Sequence, residues 1–224
     1  WCAAGTSNVT LTAGVTGGTT PYSYNWIGTD LSSLINASTV ANPSVAGTYL
    51  YTAVVTDATG CQAGDTISIV VYPKPSADAG AADYYICQGA SVTIGGSPTA
   101  LGGTAPFSYA WNNGGAIVAN PVVTPSGTTT YTVTVTDSHT CTATAASTVN
   151  VRSNPVANAG NDVNLPGCSP TGIAIGGSPT ASGGSGLPYS YAWSPAAGLS
   201  STLVSNPMVQ GVSGNNTYTV TVSD

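Results

Sequence analysis

Tyr131-Thr132-Val133-Thr134-Val135-Thr136 sets Tyr131, Val133 and Val135 on one face of an extended chain and three threonines on the other. A period of two is what a strand with one buried face requires. The same alternation gathers Phe107, Tyr109 and Trp111 into a core-facing stripe, and it recurs as Tyr22, Tyr24, Trp26 and as Tyr189, Tyr191, Trp193. Further strands are expected over Ser91 to Ile94 and Thr142 to Val151, with turns at Gly-Gly, Asn-Asn-Gly-Gly and Asp-Ser-His-Thr between them. Ile94-Gly95-Gly96-Ser97-Pro98-Thr99-Ala100 returns as Ile175-Gly176-Gly177-Ser178-Pro179-Thr180-Ala181, with Leu11-Thr12-Ala13-Gly14 as its counterpart earlier in the chain. Trp26 to Trp111 is 85 residues and Trp111 to Trp193 is 82, a length suited to one antiparallel β-sandwich per repeat. Three repeats are expected: 1–73, lacking its first segment; 76–152, complete; and 155–224, lacking its last strand.

Proline-containing linkers separate them, Tyr72-Pro73-Lys74-Pro75-Ser76 and Arg152-Ser153-Asn154-Pro155, short enough to hold neighbouring domains in a semi-rigid line. With ten-residue strands the rod would measure about 110 Å. Only 4% of the 224 residues are charged, and the net charge is -6 with two cations, Lys74 and Arg152. Two cations cannot neutralise a run of phosphates, which argues against nucleic acid and anionic membranes as partners. No apolar run approaches the roughly 20 residues of a membrane-spanning helix. With 28 Gly and 15 Pro the chain breaks into short segments, as an all-β protein does.

Each repeat opens on a cysteine, Cys2, Cys87 and Cys168, and the first two close on Asp57-x-x-x-Cys61 and Asp137-x-x-x-Cys141. The expected disulfides are Cys2 to Cys61 and Cys87 to Cys141, each closing a loop worth roughly 4 kcal/mol in the chain-entropy model. Cys168 is left unpaired, its mate expected about four residues past Asp224 in a longer array. The alternative is that another subunit supplies the missing strand, as in donor-strand complementation. Disulfides imply an oxidising, extracellular or cell-surface location.

Ala77-Asp78-Ala79-Gly80-Ala81-Ala82-Asp83, then Cys87, Val92-Thr93-Ile94-Gly95-Gly96-Ser97-Pro98-Thr99-Ala100, a Tyr-Ser-Tyr-x-Trp segment and Tyr-Thr-Val-Thr-Val-Thr-Asp together resemble the immunoglobulin-like repeats of the polycystic-kidney-disease (PKD) type. The likeness is to the versions in large bacterial surface proteins, including gliding-motility-type adhesins, and covers essentially the whole chain. The Trp-Asp-Phe-Gly-Asp-Gly motif of that family is absent: Asn112-Asn113-Gly114-Gly115 follows Trp111 and Ser194-Pro195-Ala196 follows Trp193. The resemblance implies tandem immunoglobulin-like (PKD-like) sandwiches in a linear array, a surface or secreted location, and a spacer, adhesive or fibre-forming role.

Trp26, Trp111 and Trp193 are read as central core residues rather than a sugar-stacking platform, and Tyr49, Tyr131 and Tyr218 as core or corner tyrosines. Asp137-Ser138-His139 unites the residue types of a hydrolytic triad, but triad members converge from separate segments, and neighbours on a tight turn point apart. With one His and no Glu, no catalytic residue is assigned and no enzymatic activity is expected. Asp57, Asp137 and Asp224, and Asp83 and Asp162, recur at equivalent positions and are read as turn-capping residues. No cofactor is expected; an interdomain calcium site on Asp78 or Asp83 is the one metal reading. Asn8, Asn36 and Asn215 head candidate glycosylation triplets. With so few charges to guard strand edges, the hydroxyl-rich surface is expected to be glycosylated or packed against copies of itself or neighbouring repeats. The leading expectation is a structural, non-enzymatic building block of an extracellular fibre or surface filament. The alternatives are the stalk of an adhesin whose ligand-binding domain lies elsewhere, and a carbohydrate-binding module.

Overall fold

The computed structural model describes residues 1–3, 8–114, 116–165, 172–186 and 188–224. Every regular element in these residues is a strand, and every pairing of known register between strands is antiparallel. Contacts divide the chain into two units, residues 1–83, 93–123 and 130–148, and residues 84–92, 124–129 and 149–224.

The first unit opens with β1 (Val9–Thr12), β2 (Ser23–Ile27), β3 (Ser38–Ala41), β4 (Gly47–Thr56) and β5 (Gln62–Val71). β1 pairs with β3, while β2, β4 and β5 form a separate sheet in that order. One two-stranded and one three-stranded layer with this connectivity correspond to the B-E and C-F-G strands of an immunoglobulin sandwich. The layers close on Leu11, Trp26, Ala41, Tyr51, Ile69 and Val71. Each strand contributes alternate residues because successive side chains of a strand point to opposite faces. Tyr49, at the start of β4, donates its hydroxyl to the Val45 carbonyl at 2.9 Å, the tyrosine corner of such folds.

Still in chain order come β6 (Pro75–Ala77), β7 (Asp83–Cys87), β8 (Val92–Thr93), β9 (Ala100–Gly102), β10 (Ser108–Trp111), β11 (Val122–Val123), β12 (Thr129–Thr136) and β13 (Thr142–Arg152). In the first unit β6 pairs with β9, and β10 with β12 in the register that sets Trp111 opposite Val133. Ile94, Trp111, Tyr131, Val133 and Val135 are all buried there. The recurring Gly-Gly-Ser-Pro-Thr-Ala segment is a hydrogen-bonded loop whose second Gly, Thr and Ala are buried while its Ser and Pro are exposed. Thr99 is 1% exposed and donates to the carbonyls of Gly96 and Ala119. Gly95 has φ 106, and a Cβ there would stand 2.5 Å from the Ala119 oxygen. Thr180, Gly177 and Gly176 repeat the arrangement.

The second unit continues with β14 (Pro155–Ala157), β15 (Ile173–Ala174), β16 (Ala181–Gly183), β17 (Ser190–Ser194), β18 (Met208–Val209) and β19 (Thr219–Ser223). β14 pairs with β16, β15 with β18 and β17 with β19. Ile175, Trp193, Val209 and Val220 are its core. In all three stripes the tryptophan indole N–H is satisfied by a main-chain carbonyl further along, of Asn36, Val118 and Val204, at 2.9 to 3.0 Å. A buried indole needs such a partner.

Candidate functional site: aspartate turns and a disulfide staple

The turns after β4 and β12 are built alike. Asp57 accepts the Thr19 N–H on Oδ2, and on Oδ1 the N–H groups of Thr59 and Cys61 and the Thr59 hydroxyl, all at 2.7 to 3.0 Å. Asp137 accepts the Thr104 N–H on Oδ2 and those of His139 and Cys141 on Oδ1, at 2.9 to 3.0 Å. Each carboxylate therefore fixes its own turn and ties it to a second loop. Gly18 and Gly103, with φ 75 and 61, deliver the second loop's N–H; a Cβ on Gly103 would stand 3.1 Å from Asp137 Oδ2. Asp224 bonds the Ser185 N–H in the same way, beside Gly184. The Thr59 hydroxyl first, then the Thr19 N–H, hold the Asp57 carboxyl down at about 2. Burial pushes Asp137 up, but the N–H groups of Cys141, Thr104 and His139 outweigh it and leave the carboxyl below its ordinary value. For Asp224 the Ser185 N–H is the main cause of a downward shift.

The second of these turns is covalently joined to the start of the chain. Cys2 forms a disulfide with Cys141, with the Cα atoms 5.5 Å apart. Cys2 lies in a parallel bridge with Tyr72; the Ala3 N–H donates to the Tyr72 carbonyl at 2.7 Å, and the Tyr72 N–H to the Trp1 carbonyl at 2.6 Å. The Tyr72 ring stacks on His139, 3.5 Å between centroids and 15° between planes. The staple thus joins the strand end before the first linker to the Asp137 turn of the following sequence repeat.

The pairing expected from sequence, Cys2 to Cys61 and Cys87 to Cys141, is corrected: Cys61 and Cys87 are free and exposed. Strand length is the reason. Cys61 precedes β5 and Cys2 sits beside Tyr72, just past its other end; ten residues at about 3.3 Å each separate the two. Cys141 precedes β13, whose last residue, Arg152, accepts the Gln88 N–H beside Cys87, so eleven residues intervene. A disulfide needs Cα atoms within about 7 Å. Cys168 lies outside the described residues.

The triad residue types do not converge. Asp137 spends its carboxylate on main-chain N–H groups, and the His139 ring lies against Tyr72, its Nδ1 3.5 Å from the Ser138 hydroxyl. Among the described residues no three His, Cys or Asp side chains gather as a metal site would need. Asp78 accepts the Gly80 N–H at 2.8 Å, and Asn158, its equivalent, does the same for Gly160 at 2.9 Å, so this turn uses no charge. Asp83 and Asp162 are exposed, as are Asn8, Asn36 and Asn215. Trp26, Trp111 and Trp193 are 5%, 3% and 4% exposed; Tyr131 is buried, and half-buried Tyr218 donates its hydroxyl to Ala197. Sequence reasoning missed Tyr51. It is fully buried with its hydroxyl unpartnered, beside an open cleft of 430 Å³ lined by Leu11, Trp26, Val55, Ala63 and Ile67 among others. Burial, then the charge of Asp30, pushes its hydroxyl pKa up. Its place two residues after Tyr49 on the same strand face was the available signal.

No protein-family model and no curated protein matches the chain. Among solved structures it is similar to the I67–I69 I-band fragment of titin, with 12% identity and a TM-score of 0.47 over 97% of this chain and 88% of that one. A C-terminal 282-residue fragment of intimin, solved with the intimin-binding domain of its translocated receptor, is 15% identical at a TM-score of 0.41 over 64% and 57%. The four N-terminal immunoglobulin domains of Dscam1 give 13% and 0.32 over 65% and 41%. At these scores the likenesses carry no argument about family or activity.

Proposed function

We propose that the chain is a structural, non-enzymatic segment of an extracellular fibre or surface filament. The carrying observation is the Cys2–Cys141 bond, which joins two sequence repeats instead of closing one. A bond inside a sandwich serves that sandwich's stability; a bond across a linker resists hinging and separation, which matter under tension. The hydrogen-bonded turn aspartates and the buried stripe tryptophans are consistent with this reading, since they are spent on holding turns and cores. The interior position of all three stripe tryptophans disfavours a carbohydrate-stacking platform. The partners are further repeats, of the same chain or of other copies, with glycans on the exposed Asn8, Asn36 and Asn215.

Electron microscopy of natively isolated material tests this. Ordered filaments that lose order on reduction are expected. Separate flexible strings, unchanged by reduction, would transfer the role to a spacer in an adhesin.

A further inference from the structure

The staple has two halves, and each half is built twice. One half is a strand end: the residue after Cys2 donates its N–H to the carbonyl of Tyr72, the first residue of the first linker, at 2.7 Å. The residue after Cys87, Gln88, donates to the carbonyl of Arg152, the first residue of the second linker, at 2.8 Å. The other half is the aspartate turn. Around Asp137 the N–H of residue 137 meets the Cys141 carbonyl, that of Thr140 the Asp137 carbonyl, and that of Ser138 the Thr104 carbonyl. Around Asp57 the same three bonds run from Asp57 to Cys61, from Gly60 to Asp57 and from Ala58 to Thr19, with distances equal within 0.1 Å. Cys141, bonded, is 1% exposed; Cys61 sits in the same three-bond turn and Cys87 beside the same strand-end hydrogen bond, and both are free and exposed.

We propose that Cys61 and Cys87 are disulfide sites for further repeats of this kind. Cys61 takes a strand-end cysteine framed like Cys2, and Cys87 takes a turn cysteine framed like Cys141. The staple then becomes a periodic device, each repeat clamped to the turn of the next. Pairing within a repeat is blocked by strand length, as for Cys2 and Cys61. Formation proceeds by exchange with an extracellular disulfide oxidant. The Cys61 or Cys87 thiolate attacks one oxidant sulfur and releases the other as thiolate; the mate's thiolate then attacks the mixed disulfide and expels the second. Two protein thiols lose two protons and two electrons, and one oxidant disulfide becomes two thiols.

The identity of the mates rests on the array reading above; the thiol states do not. The test is disulfide mapping of natively isolated protein, alkylated on extraction and digested without reduction. Expected are cross-linked peptides joining Cys61 to a strand-end cysteine and Cys87 to a cysteine four residues after an aspartate. Alkylated Cys61 and Cys87, a Cys61–Cys87 bond, or like-with-like dimers would overturn the proposal, even where microscopy shows ordered filaments. A non-reducing gel assigns the source: a single-chain mass places the mates in the same polypeptide, a multiple of it in another copy. In either case Cys61→Ser removes the Cys61 link and leaves the Cys87 link in place.

Discussion

Trp111 shows how much one side chain supports: it is 3% exposed, lies opposite Val133, and satisfies its indole N–H on Val118. Truncation to alanine leaves a cavity and an orphaned carbonyl, so Trp111→Ala should cost about 3–5 kcal/mol, read from urea unfolding. Tyr51 makes the opposite case, because its buried hydroxyl has no partner and a buried unsatisfied group costs about 1–3 kcal/mol. Tyr51→Phe keeps the ring and removes that group; the same assay should show unchanged or raised stability, and a loss of 1 kcal/mol would mean the hydroxyl is used. At Asp57 the charged form is the one held by hydrogen bonds, so its pKa falls from 3.8 to about 2 on folding. The stability this contributes is complete above pH 4 and is lost as pH drops toward 2. Asp57→Asn should therefore melt below the parent at pH 7, the two melting curves converging near pH 2.

Strand elements were legible where one residue type could not be placed otherwise. Tyr131-Thr132-Val133-Thr134-Val135-Thr136 reads as a strand because only a period of two buries all three apolar residues, and the structure runs β12 through it. The cysteine pairing was misread because equal repeat positions suggest closure within a repeat, whereas the lengths of β5 and β13 put those positions at opposite strand ends. Tyr51 shares its parity with Tyr49, which marks both as inward-facing, but sequence does not say which of the two turns the corner and which fills the core. The chain's few charges also have a counterpart at this scale. Thr12 and Ser38, Thr52 and Thr66, Ser91 and Thr124, and Thr130 and Thr148 meet hydroxyl to hydroxyl at 2.7 to 3.1 Å, on neighbouring segments where other proteins set ion pairs. A double-mutant cycle of Thr52→Val and Thr66→Val should give a coupling of roughly 0.2–1 kcal/mol. Unlike a surface ion pair it should not change between 0.05 and 1 M salt, and a coupling that fades with salt would refute the hydroxyl assignment.

For the whole molecule, the question is what the staple holds. It bridges 139 residues, for which the chain-entropy model gives about 5 kcal/mol, an upper figure because each sandwich also closes on its own core. Both cysteines lie in the first unit, and the described core of the second, Ile175, Trp193, Val209 and Val220, contains neither. Reduction should therefore act unevenly. Hydrogen exchange with and without a phosphine reductant should speed up in peptides spanning Trp1–Ala3, Tyr72 and the Asp137–Cys141 turn, where the strand end is held by a few main-chain bonds and the stacked Tyr72 and His139 rings. Peptides covering β17 and β19 should exchange at the same rate in both states. If β17 and β19 accelerate equally, the two units unfold as one cooperative body and the staple stabilises the entire chain. If neither region responds, hydrogen bonding at Tyr72 suffices to hold the strand end, and the disulfide matters only under load.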